Sequence, residues 1–329
     1  MGRVRGKVVG DKRIIHFGYI YRKLRFFLCR LLGFFLIKTG FVQKKINKIK
    51  SRHLITILYF HNPSAELFAG CIRWLVKNQY VFISMQELYD ILTNHIDPPV
   101  GSVCLTVDDG WMANLSNIVP VIDRYRIPIC FFISTGPVND GVFWWSICSR
   151  AKTLRADKSI SIRKFKILPN SERIMRVNEL KKITDLDREA MTKEDVIGIS
   201  NNPYVTIGSH TINHPCLNQC SEDEVAFEIT ESKLMLSEWI QKDVFYFSYP
   251  NGDYTGSERN ILVKSGYLMA FTTEGAFVIP DCHDIFYLPR LCINDSGSLE
   301  ENICKMVGLW PDFRKFFARP RKEKVRNEH

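Results

Sequence analysis

A buried strand that runs straight into two adjacent carboxylates constrains this chain more than any other feature. Residues 103–107 (VCLTV) form a short apolar run of the kind covered on both faces. The run stops at Asp108-Asp109-Gly110. A helical pattern follows over residues 114–125, then Ile127-Pro128, then a second buried run at 129–134. Strand, helix, strand is the parallel repeating unit of an α/β fold. In such folds chemistry gathers where the strands end. The two acids therefore belong at an active rim. Side by side they repel, and burying them is costly without compensation. A metal ion would hold one and leave the other as a base. Asp before a helix is also a common N-cap, and Asp-Gly is a turn signal. On this segment alone both readings stay open.

The same rhythm runs through the chain. Residues 54–60 (LITILYF) read as a strand halted at His61-Asn62-Pro63. A helix is predicted from 65 to 79, a short strand at 81–84, and a helix at 85–92 capped by Ser84. Residues 149–198 carry helix formers without strand signals. They predict a helical insertion with too few apolar residues for a core of its own. Alternation resumes with a strand at 205–207, a helix at 222–239 and a strand at 244–247. After the turn at 248–252 come a helix at 257–266, a strand at 268–272 and the segment 286–290. The length of 329 residues fits one large α/β domain with extensions.

Charge and cysteines bound the surroundings. The formal charge of +10 calls for an anionic neighbour such as a membrane face, nucleic acid or acidic glycan. No nucleic-acid motif accompanies it, so nucleic acid is not expected. Much of the excess lies in a leader, residues 1–50, whose only acid is Asp11. Its apolar stretch at 26–37 is interrupted by Arg30 and is shorter than the ~20 residues that span a bilayer. A helix lying on anionic lipid and a helix packed on the domain both fit. A signal peptide fits less well, because no small-residue cleavage site follows Ile37. The catalytic domain is expected over 51–313, with a basic tail at 314–329 that carries Phe316-Phe317. Ten cysteines without a CxxC pair argue for free thiols in a reducing compartment. The expected location is cytoplasmic and peripheral at the inner membrane face, with secretion or the cell envelope as the alternative.

His210 and His214 sharpen the metal reading. They stand four apart, which on a helical turn would put both imidazoles on one face. They also follow the strand at 205–207, as Asp108-Asp109 follow theirs. One Asp and two His make a three-ligand site with an open position, the pattern of catalytic zinc.

TVDDGW (106–111), SHTINHP (209–215), FSYPNGDY (247–254) and LPRL (288–291), in that order, resemble the polysaccharide deacetylase family, the NodB-homology domains of carbohydrate esterase family four. The resemblance runs from about residue 54 to 294 and implies a distorted (β/α) barrel of the polysaccharide deacetylase type. It implies a hydrolase that removes acetyl groups from an N-acetylated glycan or glycolipid. Asp108 would be the general base that draws a proton from metal-bound water, with Asp109, His210 and His214 as ligands. The ion would be a divalent metal, Zn2+ first and Co2+ or Ni2+ next. Tyr249, Pro250 and Asn251 would line the substrate groove, with a backbone N–H near Asn251 helping to hold the oxyanion. Trp144 and Trp145 would stack on sugar rings or pack a lid. Many members carry an Arg where this chain has Ser248. Arg290 is placed with the groove residues and would orient Asp108 by a charge-assisted bond. The late histidine that serves many members as general acid is absent after Arg290. A subgroup similar to the biofilm-polysaccharide deacetylases has it early, and His61 fits that place; His283, in a polar loop, is the weaker candidate. A barrel that binds glycan without turnover and an amidohydrolase acting on a small amide are the alternatives.

Overall fold

The computed structural model describes the backbone of residues 11–154, 160–280 and 283–310, with side chains from Lys23 onward. The predicted tail at 314–329 lies outside the described residues. Two helices come first, α1 (Asp11–Lys38) and α2 (Phe41–Ser51). Then follow β1 (Thr56–Phe60), α3 (Ala65–Lys77), β2 (Val81–Phe82), α4 (Met85–Thr93) and β3 (Ser102–Val107). The middle supplies α5 (Asn114–Asn117), α6 (Val119–Tyr125), β4 (Ile129–Ile133), α7 (Thr135–Asp140) and α8 (Trp144–Thr153). After α9 (Ile162–Phe165), α10 (Asn170–Lys181) and α11 (Lys193–Ser200) comes β5 (Val205–Ser209). The last elements are α12 (Glu222–Ile240), β6 (Tyr246–Ser248), α13 (Glu258–Lys264), β7 (Met269–Phe271), β8 (Leu291–Cys292) and α14 (Leu299–Met306). The single helix expected over 114–125 is broken in two, because Pro120 in the first turn of α6 cannot continue the preceding ladder.

All strand pairings are parallel, in the order β7-β6-β5-β4-β3-β1-β8, with β2 beside β3. The two ends of this curled sheet come together. Leu288 bridges Phe271 of β7, and Leu291 pairs with Leu58 of β1, so the segment around 288–292 closes a distorted barrel. Alternation along the strands sorts the side chains. Ile57, Cys104, Cys130, Phe132, Tyr246, Met269 and Phe271 share one buried cluster inside the sheet. Leu58, Leu105, Phe131, Ile133 and Phe247 belong to the larger layer between sheet and helices.

The region 149–198 is helical, as expected, but it does carry a small apolar cluster. Ile147, Cys148 and Ala151 of α8 close on Ile160, Phe165 and Val177. Three of its seven buried members, Trp144, Ile147 and Cys148, precede residue 149, which is why residue counting within 149–198 misses it. At the other end of the chain, α2 buries Val42, Ile46 and Ile49 against the domain. Helix α1 lies along α14, with Gly33 so close that a Cβ there would stand 2.6 Å from the Glu300 carbonyl carbon. Among the described residues no single helix is long and apolar enough to cross a membrane. The nine described cysteines are all free.

Candidate active site

Asp108 and Asp109 leave β3 in opposite directions. Asp109 takes a left-handed backbone, φ 79°, a conformation that Asp tolerates better than most residues. The turn solves the repulsion between neighbours by giving each carboxylate different partners.

Asp108 faces the barrel interior and meets Arg290. Its two oxygens accept from Arg290 Nη1 at 2.8 Å and Nη2 at 2.7 Å, a bidentate pair. Arg290 also donates to Thr106 Oγ1, to Ser248 Oγ and, through Nε, to the Thr272 carbonyl. All five guanidinium N–H bonds thus have acceptors, and the Tyr59 ring lies 4.5 Å away. Burial alone would raise the Asp108 carboxyl, but Arg290 and then His210 outweigh it and hold it below the usual carboxylate range. Where the resemblance predicts an arginine, the Ser248 hydroxyl stands 2.8 Å from Arg290 Nη2, so the guanidinium arrives instead from the segment just before β8.

Asp109 faces the histidines. Its Oδ1 is 3.5 Å from His210 Nε2 and 3.4 Å from His214 Nε2, while Oδ2 accepts from the Trp111 indole at 2.9 Å. His210 Nδ1 is 2.7 Å from the Ser248 carbonyl, which can only accept. Nδ1 therefore carries a proton, and Nε2 is the nitrogen turned toward Asp109. Burial, followed by the neighbouring His210, pushes the His214 ring down to about 3, so it is neutral near pH 7. The helical turn expected over 210–214 is corrected: the segment is a loop, with Thr211 and His214 at positive φ. Glu228 of α12 pins it, accepting from the backbone N–H of Ile212 and Asn213 at 2.8 and 2.9 Å.

These residues fit a metal ion. The three donor atoms lie within 4.8 Å of one another, and Asp109 Oδ1 is buried with no hydrogen-bond partner. One carboxylate and two imidazoles leave coordination positions open.

Around them is a cleft of about 660 Å³, lined by Asp108, Asp109, His210, His214, His61, Asn251, Trp145 and others. His61 ends β1 at the opposite lip, its Nδ1 3.8 Å from Asp295 Oδ2. The same oxygen accepts from the backbone N–H of His61 and Asn62. Trp145 stacks on Phe143 and meets His214 edge-on at 4.7 Å. Several expected groove residues are elsewhere. Arg290 and Tyr249 are fully buried, the latter beneath Tyr254 and Tyr287. Pro250 is buried behind Asn251. Trp144 turns inward and donates to the His214 carbonyl at 3.1 Å. His283 does not line the cleft. Sequence reasoning missed Tyr59, Trp111, Lys166, Thr273, Asp295 and Ser296, which do. Lys166 comes from the insertion and donates to the Asn251 side-chain oxygen. Asp295 sits in an NDSGS stretch that reads only as a turn.

A family profile described as polysaccharide deacetylase matches residues 95–270. The chain belongs to the polysaccharide deacetylase family. A poly-β-1,6-N-acetyl-D-glucosamine N-deacetylase of Staphylococcus aureus is 24% identical over 260 residues, spanning 75% of this chain and 76% of that protein. Two solved structures share the deacetylase fold. The Streptococcus pyogenes deacetylase PplD, in complex with acetate, superposes with a TM-score of 0.57 at 19% identity, covering 77% of this chain and 98% of that one. IcaB from Ammonifex degensii gives 0.56 at 19% identity, covering 77% and 97%. The distorted barrel that the resemblance implies is thus the fold observed.

Proposed function

We propose that this deacetylase-family chain is a metal-dependent hydrolase that removes N-acetyl groups from an amino-sugar polysaccharide or glycolipid. The observation that carries the reading is the placing of Asp109, His210 and His214 around one point, with Asp108 beside them in the same cleft. These three would hold a divalent ion, zinc being the best match to a set of one carboxylate and two imidazoles. When bound, such an ion supplies Lewis acidity and makes water a nucleophile near neutral pH.

The chain's own residues do the rest. Asp108, fixed by Arg290 in one orientation, is the base that accepts a proton from the attacking water. His61, across the cleft and held at its backbone by Asp295, delivers a proton to the departing amine. Trp145 and Asn251 bound the space for the sugar. The names of relatives acting on poly-N-acetylglucosamine support a glycan with N-acetylated amino sugars.

Acetate release from N-acetylglucosamine oligomers, with zinc and then with chelator, tests this. Release that stops on chelation and returns with zinc is the expected result. Binding of oligomers without release would make the barrel a glycan binder. Turnover confined to small cyclic amides would make it an amidohydrolase.

A further inference from the structure

Helix α1 turns a broad apolar face to water. Leu24, Phe27, Leu28, Leu31, Phe34 and Phe35 recur at three- and four-residue spacing, and each is between 51% and 60% exposed. Gly33 and Leu36 form the side toward the protein. On its flanks Arg25 pairs with Glu301 at 3.5 Å and Arg30 with Glu300 at 3.3 Å, both arginines staying half-exposed. A surface helix of a water-soluble domain shows the reverse pattern, and contiguous apolar patches of this kind mark interaction sites.

We propose that the outward face of α1 docks on the surface of an anionic lipid bilayer. Charge selects the partner. Between Asp11 and Glu66 the sequence has no acidic residue. Exposed Lys38 and Lys44 border the apolar face, lying over the Phe34 and Phe41 rings at 5.6 and 5.8 Å, and Lys48 and Arg52 continue the basic strip. Aromatic and leucine side chains rimmed by lysine match the boundary between headgroups and acyl chains. The helix lies on the bilayer instead of continuing through it. Its neighbour α2 turns away by 65° and buries its own apolar residues Val42, Ile46 and Ile49 in the protein. Arg25 and Arg30 are held at the first turn of α14, which begins three residues beyond Ser296 of the cleft wall. Docking therefore sets the cleft rim close to the lipid. The proposal makes no assumption about the reaction in the cleft, so its test is separate from acetate release.

The test is sedimentation of the full chain with vesicles of pure phosphatidylcholine and of equal parts phosphatidylcholine and phosphatidylglycerol. The unmodified chain binds the mixed vesicles. Replacing Phe27, Leu31 and Phe35 together by Ser lowers that binding by at least about a hundredfold, since three large apolar side chains no longer leave water. Lys44→Gln and Lys48→Gln each cost roughly fivefold on the mixed vesicles and nothing on the neutral ones. Circular dichroism and melting stay unchanged, because all five side chains point outward. Two results overturn the proposal: equal binding by the Ser variant, or no binding by the unmodified chain. A concentration-dependent dimer that the Ser variant dissociates, without vesicle binding, would make the face a contact between two copies.

Discussion

Asp108 and Asp109 are chemically identical neighbours with different tasks, because one backbone turn sends them to different partners. Replacing Asp109 by Ala removes the carboxylate at the centre of the donor set, so the purified variant should contain no stoichiometric zinc by elemental analysis. Asp108→Asn should keep the metal and lose turnover by on the order of 10²- to 10⁴-fold, the usual size of a lost general base. Metal retained by the first variant, or full turnover in the second, would assign the roles otherwise. Arg290 carries a stability cost as well. Arg290→Met leaves the Asp108 carboxylate buried without its cation, and should lower the denaturant-measured unfolding free energy by roughly 3–5 kcal/mol. Arg290→Lys should not rescue it fully, since an ammonium cannot make the two parallel bonds or fill all five donor directions.

The loop between the two histidines shows how an element far from the chemistry sets its geometry. Residues 210–214 leave β5 with two left-handed backbone positions, and inside the loop only Thr211 braces that path, its hydroxyl donating to the His210 carbonyl and accepting from the His214 N–H. Glu228, only 2% exposed, reaches from α12 and ties down two consecutive N–H groups and the Asn213 amide. Glu228→Gln retains one acceptor and loses the charge. Zinc affinity by competitive chelation should drop about 10- to 100-fold while the helix content stays constant. Unchanged affinity would show that the loop holds itself. A second element, the helical insertion, reshapes the cleft in the same indirect way, sending Ile162 and Lys166 into a wall otherwise built by strand-end loops.

At the scale of the molecule, the first two helices belong to the fold. Leu36, Val42, Ile46 and Ile49 are part of the main apolar core. A chain starting at Leu54 should therefore lose at least about 5 kcal/mol of stability, from the exposure of apolar surface those side chains cover. Thermal melting of that truncation, against one starting at Lys23, checks this. Equal melting temperatures would mean that the two helices add nothing to the core. The same architecture divides α1: Gly33 and Leu36 pack inward, Arg25 and Arg30 reach α14 from the flanks, and a row of large apolar side chains is left outside.

Local pattern determined much of this protein before any tertiary contact. Buried runs and helical spacing announce the alternating strands and helices of an α/β fold because period and burial are written into neighbouring residues, while the barrel itself came with the family resemblance. Asp109, His210 and His214 were legible because ligands at strand ends share a rim whatever the loops do. The bond from Arg290 to Asp108, across 182 positions, was also expected, from the LPRL segment. The partner of His61 was not: Asp295 meets its backbone across 234 positions only because the last strand closes the barrel between β7 and β1. Packing of α8 and the insertion decided that Trp144 faces inward while Trp145 and Lys166 face the cleft. A sequence fixes which side of its own strand or helix a residue occupies; which neighbour waits on that side depends on how the whole sheet curls.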